Sequence, residues 1–273
     1  MKKLPCALTL LLVLLLLASC APNDIPRPAD TIGSARGYDD WARAVGYSSG
    51  VLVDDGAEGI LQDRFRTLPG SAGYDSGVIV IGDSRCCQLS VYQQRAGADA
   101  FAVFAVWGGH YTGREPFIPT ESFYDDVEAC FREQIRARGS SRLFFFATVN
   151  DYDPEGPNSE NISAAASCAE RLASMSFEYE GVLYSPELFV IGIEGCGSDG
   201  VRYGLEPAFF NRGIDEYNAA LETALAGTCS HYTTVPEITS GKTGFIDDGL
   251  HYSDDTLAVL IDYILAGSRR QDG

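Results

Sequence analysis

The stretch Val78-Ile79-Val80-Ile81-Gly82-Asp83-Ser84 decides the fold: four consecutive β-branched apolar residues run into a glycine, an acid and a serine. An apolar run of that length fits a strand covered on both faces. Three more runs follow, Ala100 to Val106, Leu143 to Val149 and Val182 to Ile193, and a short fifth strand is expected over His231 to Val235. Helical stripes lie between them. Phe123, Val127, Cys130, Phe131 and Ile135 recur at helical spacing behind Thr120 and Ser122, either of which can cap the helix. Phe210, Ile214, Tyr217, Leu221 and Leu225 form a second stripe, and Leu257, Leu260, Ile261 and Ile264 a third. Ile162, Ala165, Ala166, Ala169, Leu172 and Ala173 add an alanine-rich fourth. This alternation predicts a three-layer α/β/α sandwich around a mainly parallel five-stranded sheet, with ligands bound outside the carboxyl ends of the strands.

Four short segments fall at those ends. Gly82-Asp83-Ser84 follows the first strand, which places Ser84 at a strand-to-helix turn with its hydroxyl exposed and its backbone N–H facing an incoming carbonyl. Trp107-Gly108-Gly109 follows the second, where a glycine turns its backbone N–H into a cavity without steric cost. Thr148-Val149-Asn150-Asp151 closes the third. Asp248-Gly249-Leu250-His251 carries the strongest signal, because a spacing of three on one turn lets the Asp248 carboxylate orient the imidazole through Nδ1 while Nε2 faces Ser84. The spacing favours Asp248 over its neighbour Asp247. Arg85 puts a cation at the site mouth or, the favoured reading, is a plain surface arginine; His110 lines the pocket or, the favoured reading, faces solvent.

In this order and spacing, the four segments resemble the SGNH/GDSL hydrolase superfamily, over about Val78 to Ala266. Arg85 departs from the superfamily's leucine and Thr148 from its glycine. The resemblance implies a flavodoxin-like fold and a serine esterase site: Ser84 as nucleophile, His251 as base and Asp248 as its orienting acid. The oxyanion hole would combine the backbone N–H groups of Ser84 and of one of the two glycines, taken as Gly109, with the Asn150 side chain. No metal or organic cofactor is required. Small-molecule or glycan esters are the expected substrates, with acetyl or other short acyl groups preferred. Lipase, lysophospholipase and thioesterase activities share the same motifs. A non-catalytic binding lipoprotein is the rival of another kind, motivated by Thr148 and by the Cys86-Cys87 pair beside the nucleophile.

The chain's 273 residues suit one α/β domain of about 200 residues behind a leader. Met1-Lys2-Lys3, a leucine-rich run and Leu17-Ala18-Ser19-Cys20 read as a lipoprotein signal over 1–19, with Cys20 lipidated. A flexible tether over 20–40, an irregular extension over 41–77 and the hydrolase domain over 78–273 complete the expected organisation. That places the protein on the extracytoplasmic side of the cell envelope, held to the membrane through Cys20.

The net charge of −18, two units more negative once Lys2 and Lys3 leave with the leader, excludes nucleic acid as a partner. Removing Cys6 with the leader and Cys20 to lipid leaves Cys86, Cys87, Cys130, Cys168, Cys196 and Cys229. An even count in an exported chain predicts at least one disulfide, first between Cys196 and Cys229. No cysteine or histidine spacing suggests a metal site. Gly46-Tyr47-Ser48-Ser49-Gly50 mimics a nucleophile elbow but lacks the preceding strand, and Gly241-Lys242-Thr243 lacks the rest of a phosphate loop. Asn161-Ile162-Ser163 matches a glycosylation sequon without meaning in such a protein.

Overall fold

The computed structural model describes residues 77–95, 100–106, 108–114, 118–197, 206–246 and 248–269. The expected signal, tether and extension up to residue 76, together with Trp107 and Asp247, lie outside these residues. In chain order the elements are β1 (Val78–Gly82), α1 (Ser84–Arg95), β2 (Ala102–Ala105), α2 (Glu121–Arg138), β3 (Arg142–Phe146) and α3 (Ser159–Ala173). There follow β4 (Phe177–Tyr179), β5 (Val182–Tyr184), β6 (Glu187–Gly192), α4 (Pro207–Phe210), α5 (Ile214–Ala224), β7 (His231–Thr234), α6 (Val235–Ile238) and α7 (Asp254–Arg269).

Five strands form one sheet in the order β2-β1-β3-β6-β7, and every pair in it is parallel. This order agrees with the flavodoxin-like fold that the resemblance implied. The chain leaves β1 towards β2 on one side and β3 on the other, which opens a crevice at the carboxyl ends of these strands.

Alternation along each strand feeds two separate cores. Ile79 and Ile81 of β1, Leu143 and Phe145 of β3 and Leu188 and Val190 of β6 pack against α2, α3 and α5. Their neighbours Val78, Val80, Phe144, Phe189 and Ile191 pack against α1 and α7. Both faces are therefore dry, and the continuous apolar runs follow from that. Gly82 is fixed by the close seat of α1: a Cβ there would lie 2.4 Å from Cys86 Sγ and 3.0 Å from Phe146 Cβ.

Local signals account for most boundaries. Thr120 caps α2 by accepting from the Phe123 N–H at 3.2 Å, which decides between the two candidate caps. Two expected elements divide. The run Val182 to Ile193 holds both β5 and β6, because Ser185-Pro186 interrupts it and β5 turns back on β4 as an antiparallel hairpin. The stripe from Phe210 to Leu225 breaks after α4, where Asn211 turns its amide to the Cys196 backbone, donating to its carbonyl and accepting from its N–H, both at 2.8 Å.

The disulfide expectation is corrected. All six cysteines among the described residues are free thiols. Cys196 Sγ lies against Asn211 Oδ1 and Cys229 Sγ against the Leu225 carbonyl, so the two face different partners. Cys86, Cys87, Cys130, Cys168 and Cys196 are core residues. They behave as small hydrophobes.

Candidate active site

Ser84 opens α1 directly after β1, and the first N–H groups of a helix have no partner within it. Asp83 caps this turn with its side chain, accepting from the Arg85 N–H at 3.0 Å. The Ser84 hydroxyl lies 2.9 Å from His251 Nε2, and His251 Nδ1 lies 2.5 Å from Asp248 Oδ2. Ser84, His251 and Asp248 come together across the molecule in the expected order, all three buried. The other carboxylate oxygen of Asp248 accepts from the backbone N–H groups of Leu250 and His251 at 2.8 and 2.9 Å. Burial pushes the Asp248 pKa up, but the hydrogen bonds from His251 and from these two N–H groups outweigh it and hold the carboxyl below its ordinary range. An ionised, acceptor-only Asp248 fixes the Nδ1–H tautomer and leaves Nε2 to accept from the serine.

The third strand end is knitted to the first. Thr148 Oγ1 lies 2.8 Å from Asp83 Oδ2 and 3.0 Å from the Gly109 carbonyl, and it accepts from the Asn150 N–H at 3.1 Å. The threonine that departs from the superfamily's glycine is therefore part of the site's framework. Asn150 Nδ2 donates to the Gly109 carbonyl at 3.1 Å and to Asp83 Oδ2 at 3.3 Å, so Asn150 meets the glycine loop.

The choice of glycine is corrected. Gly109 donates its N–H to the Val106 carbonyl at 3.0 Å, and its carbonyl, rather than its N–H, faces Asn150. A Cβ at Gly109 would also sit 2.7 Å from Ile118, so packing requires glycine there for another reason. Gly108 adopts φ +64°, a conformation favouring glycine, and its N–H has no partner among the described residues. The Ser84 N–H is likewise unengaged among them.

Two side chains read as solvent-facing groups are tied to distant parts of the fold. Arg85 is 5% exposed; its guanidinium donates to the carbonyls of Leu250 (3.1 Å), Glu194 (2.8 Å) and Gly195 (2.7 Å) and lies over the Tyr252 ring. One turn on, Gln88 exchanges two hydrogen bonds with the Tyr252 backbone, at 2.9 and 3.2 Å. The residues on either side of His251 are thus held by the helix that carries Ser84. The cue in the sequence was an arginine and a glutamine spaced i, i+3 within an otherwise apolar stretch. His110 is half-buried, with Nδ1 2.9 Å from Asp151 Oδ1. Asp151 also accepts from the Tyr111 N–H, the Thr112 N–H and the Thr112 hydroxyl. Burial raises its pKa, and these hydrogen bonds overcome that and bring it below the ordinary value. Asn161 of the sequon donates its amide to the Asp151 carbonyl, so that side chain braces the same turn.

Burial pushes the Cys86 and Cys87 thiols well above their ordinary pKa, which leaves neither as a ready thiolate beside Ser84. Among the described residues no group of three or more His, Cys, Asp or Glu is placed to hold a metal ion.

No protein-family model and no curated protein sequence matches the chain. Solved structures similar to it include a carbohydrate acetylesterase from Sinorhizobium meliloti, at 12% identity and a TM-score of 0.46, covering 70% of this chain and 96% of that one. An aryl esterase from M. smegmatis is 12% identical, with a TM-score of 0.44 and coverage of 70% and 98%. Axe2, an acetylxylan esterase from Geobacillus stearothermophilus, is 12% identical, with a TM-score of 0.40 and coverage of 73% and 96%.

Proposed function

We propose that this chain is a serine esterase that hydrolyses carboxylic esters through Ser84, His251 and Asp248. The observation that carries the reading is the continuous relay from a buried carboxylate to the serine, Asp248 Oδ2 to His251 Nδ1 at 2.5 Å and His251 Nε2 to Ser84 Oγ at 2.9 Å. His251 takes the hydroxyl proton as Ser84 Oγ attacks the ester carbonyl carbon. The backbone N–H groups of Ser84 and Gly108 hold the oxyanion of the tetrahedral intermediate, and the Asn150 amide joins them by exchanging its longer hydrogen bond, to Asp83, for one to the oxyanion. Its collapse expels the alcohol, which takes the proton from His251 and leaves an acyl group on Ser84. Water then enters, gives a proton to His251 and attacks the acyl carbonyl. Collapse of this second intermediate returns the proton to Ser84 and releases the acid.

Acetyl and other short acyl esters on extracellular glycans are the proposed substrates, and the lipid-anchored envelope location through Cys20 belongs to the same proposal. Support for the location comes from the Lys-Lys, leucine-rich and Leu-Ala-Ser-Cys segments of the N-terminus. The test is hydrolysis of p-nitrophenyl acetate by the purified protein and its Ser84→Ala variant. The variant should lose about three or more decades of kcat. Undiminished activity in a variant with an unchanged circular dichroism spectrum would show that the nucleophile lies elsewhere. A series of p-nitrophenyl esters of rising acyl length then checks the preference for short chains.

A further inference from the structure

We propose that His110 is a second imidazole of the site, one that binds substrate: its Nε2 accepts a hydrogen bond from a hydroxyl group carried beside the scissile ester, so that esters of polyols are favoured over esters of simple alcohols. This rests on the esterase reading and extends it to the alcohol side of the substrate.

The placement comes first. His110 follows Gly109 and Asp151 follows Asn150, and the two pairs face each other in register. Asn150 Nδ2 reaches the Gly109 carbonyl at 3.1 Å, and His110 Nδ1 reaches Asp151 Oδ1 at 2.9 Å. The imidazole therefore stands one residue from the oxyanion framework on both segments. Asp151 then fixes its chemistry. That carboxylate is 1% exposed and meets three further donors, the Tyr111 N–H at 2.7 Å and the N–H and hydroxyl of Thr112 at 3.4 and 2.6 Å. A carboxylate so surrounded only accepts, so the imidazole's hydrogen sits on Nδ1. In the neutral ring Nε2 is consequently a bare lone pair.

That lone pair has no partner among the described residues, and the side chain keeps 16% of its exposure. With Nδ1 sealed against Asp151, Nε2 is the ring nitrogen left to meet a ligand. An acceptor fixed in tautomer and orientation, at the rim of an ester site, suits a substrate O–H. A buried structural histidine would have both nitrogens satisfied.

The test compares glycerol 1-acetate with propyl acetate, which lacks the two free hydroxyls, by pH-stat at neutral pH. His110→Asn is the informative variant, because its amide nitrogen can still donate to Asp151 while nothing replaces Nε2. It should lower kcat/KM for glycerol 1-acetate about ten-fold more than for propyl acetate, the value of one lost hydrogen bond. Thr112→Val is the control for loop integrity: it removes a donor to the same carboxylate, keeps the imidazole, and should affect both esters alike. Equal losses on the two esters in His110→Asn, or no loss on either, would overturn the inference while leaving Ser84-dependent hydrolysis intact. Failure of the unaltered protein to hydrolyse either ester would remove the esterase reading, and this inference with it.

Discussion

Asp248 uses both carboxylate oxygens within a single turn, one on the imidazole and one on two backbone N–H groups. An asparagine there keeps the shape and loses the tautomer, because its amide presents a donor where Nδ1–H needs an acceptor. Asp248→Asn should therefore cut kcat by about three to four decades, measured on p-nitrophenyl acetate, with a much smaller change in KM. Asp151 supplies a second residue-scale prediction. Its folded pKa is lowered, as is that of Asp248, so the stability each contributes is present above the unfolded carboxylate pKa of about 3.9 and lost as pH falls through the folded value. Thermal melts between pH 7 and pH 2 should show the fall concentrated below about pH 4. Asp151→Asn should cost about 2 kcal/mol at neutral pH, since an amide cannot accept from all four donors, and should flatten the acid limb. An acid limb as steep in the variant as in the parent would show that Asp151 contributes nothing to it.

The element that matters most is α1, since it carries the nucleophile at one end and grips the turn holding the base. Arg85 serves three carbonyls from one planar fork, which a lysine, as a compact charge on a flexible stem, cannot reproduce. Arg85→Leu should lower kcat by about ten-fold or more, with KM nearly constant, because it loosens the Ser84–His251 alignment rather than a substrate contact. Arg85→Lys should recover only part of that. Steady-state kinetics on both variants decide it; a change confined to KM would place Arg85 against the substrate instead.

Most of the elements were legible in the sequence. A parallel strand buried on both faces has no alternative to a continuous apolar run, so β1, β2 and β3 announce themselves. The hairpin of β4 and β5 did not, because Val182 and Leu183 are apolar yet exposed and merge by pattern with β6. Within the site, Ser84, Asp248 and His251 were readable because short spacing and strand context fix their geometry. Arg85 and His110 were misread for one reason: their partners are Leu250, Glu194 and Gly195 for the first and Asp151 for the second, all far away in sequence. Local pattern holds no trace of such contacts. Gly108 and Gly109 differ only in backbone dihedral and in which N–H is engaged, and neither property is written in composition.

At the scale of the whole molecule, two dry cores flank one sheet, and five of the six described thiols are core residues. Peptide mapping after alkylation in denaturant should find Cys86, Cys87, Cys130, Cys168, Cys196 and Cys229 all alkylated and none in a disulfide. Before denaturation, Cys86 and Cys87 should resist the same reagent, since both are fully buried. A Cys196–Cys229 cross-link would contradict the separate positions of these two thiols.

The wide separation of the reacting groups has a bearing on the protein's life before it is fully formed. Ser84 and His251 lie 167 residues apart, at the first and last parts of the described fold, and every strand pair of the five-stranded sheet is formed by segments distant in the chain. Sheets of this kind assemble slowly, because each contact closes a long loop. A partly synthesised chain carries the serine with no imidazole to accept its proton, and an unassisted hydroxyl is a weak nucleophile. On the esterase reading proposed above, topology alone would withhold hydrolysis until α7 and the turn before it dock on α1.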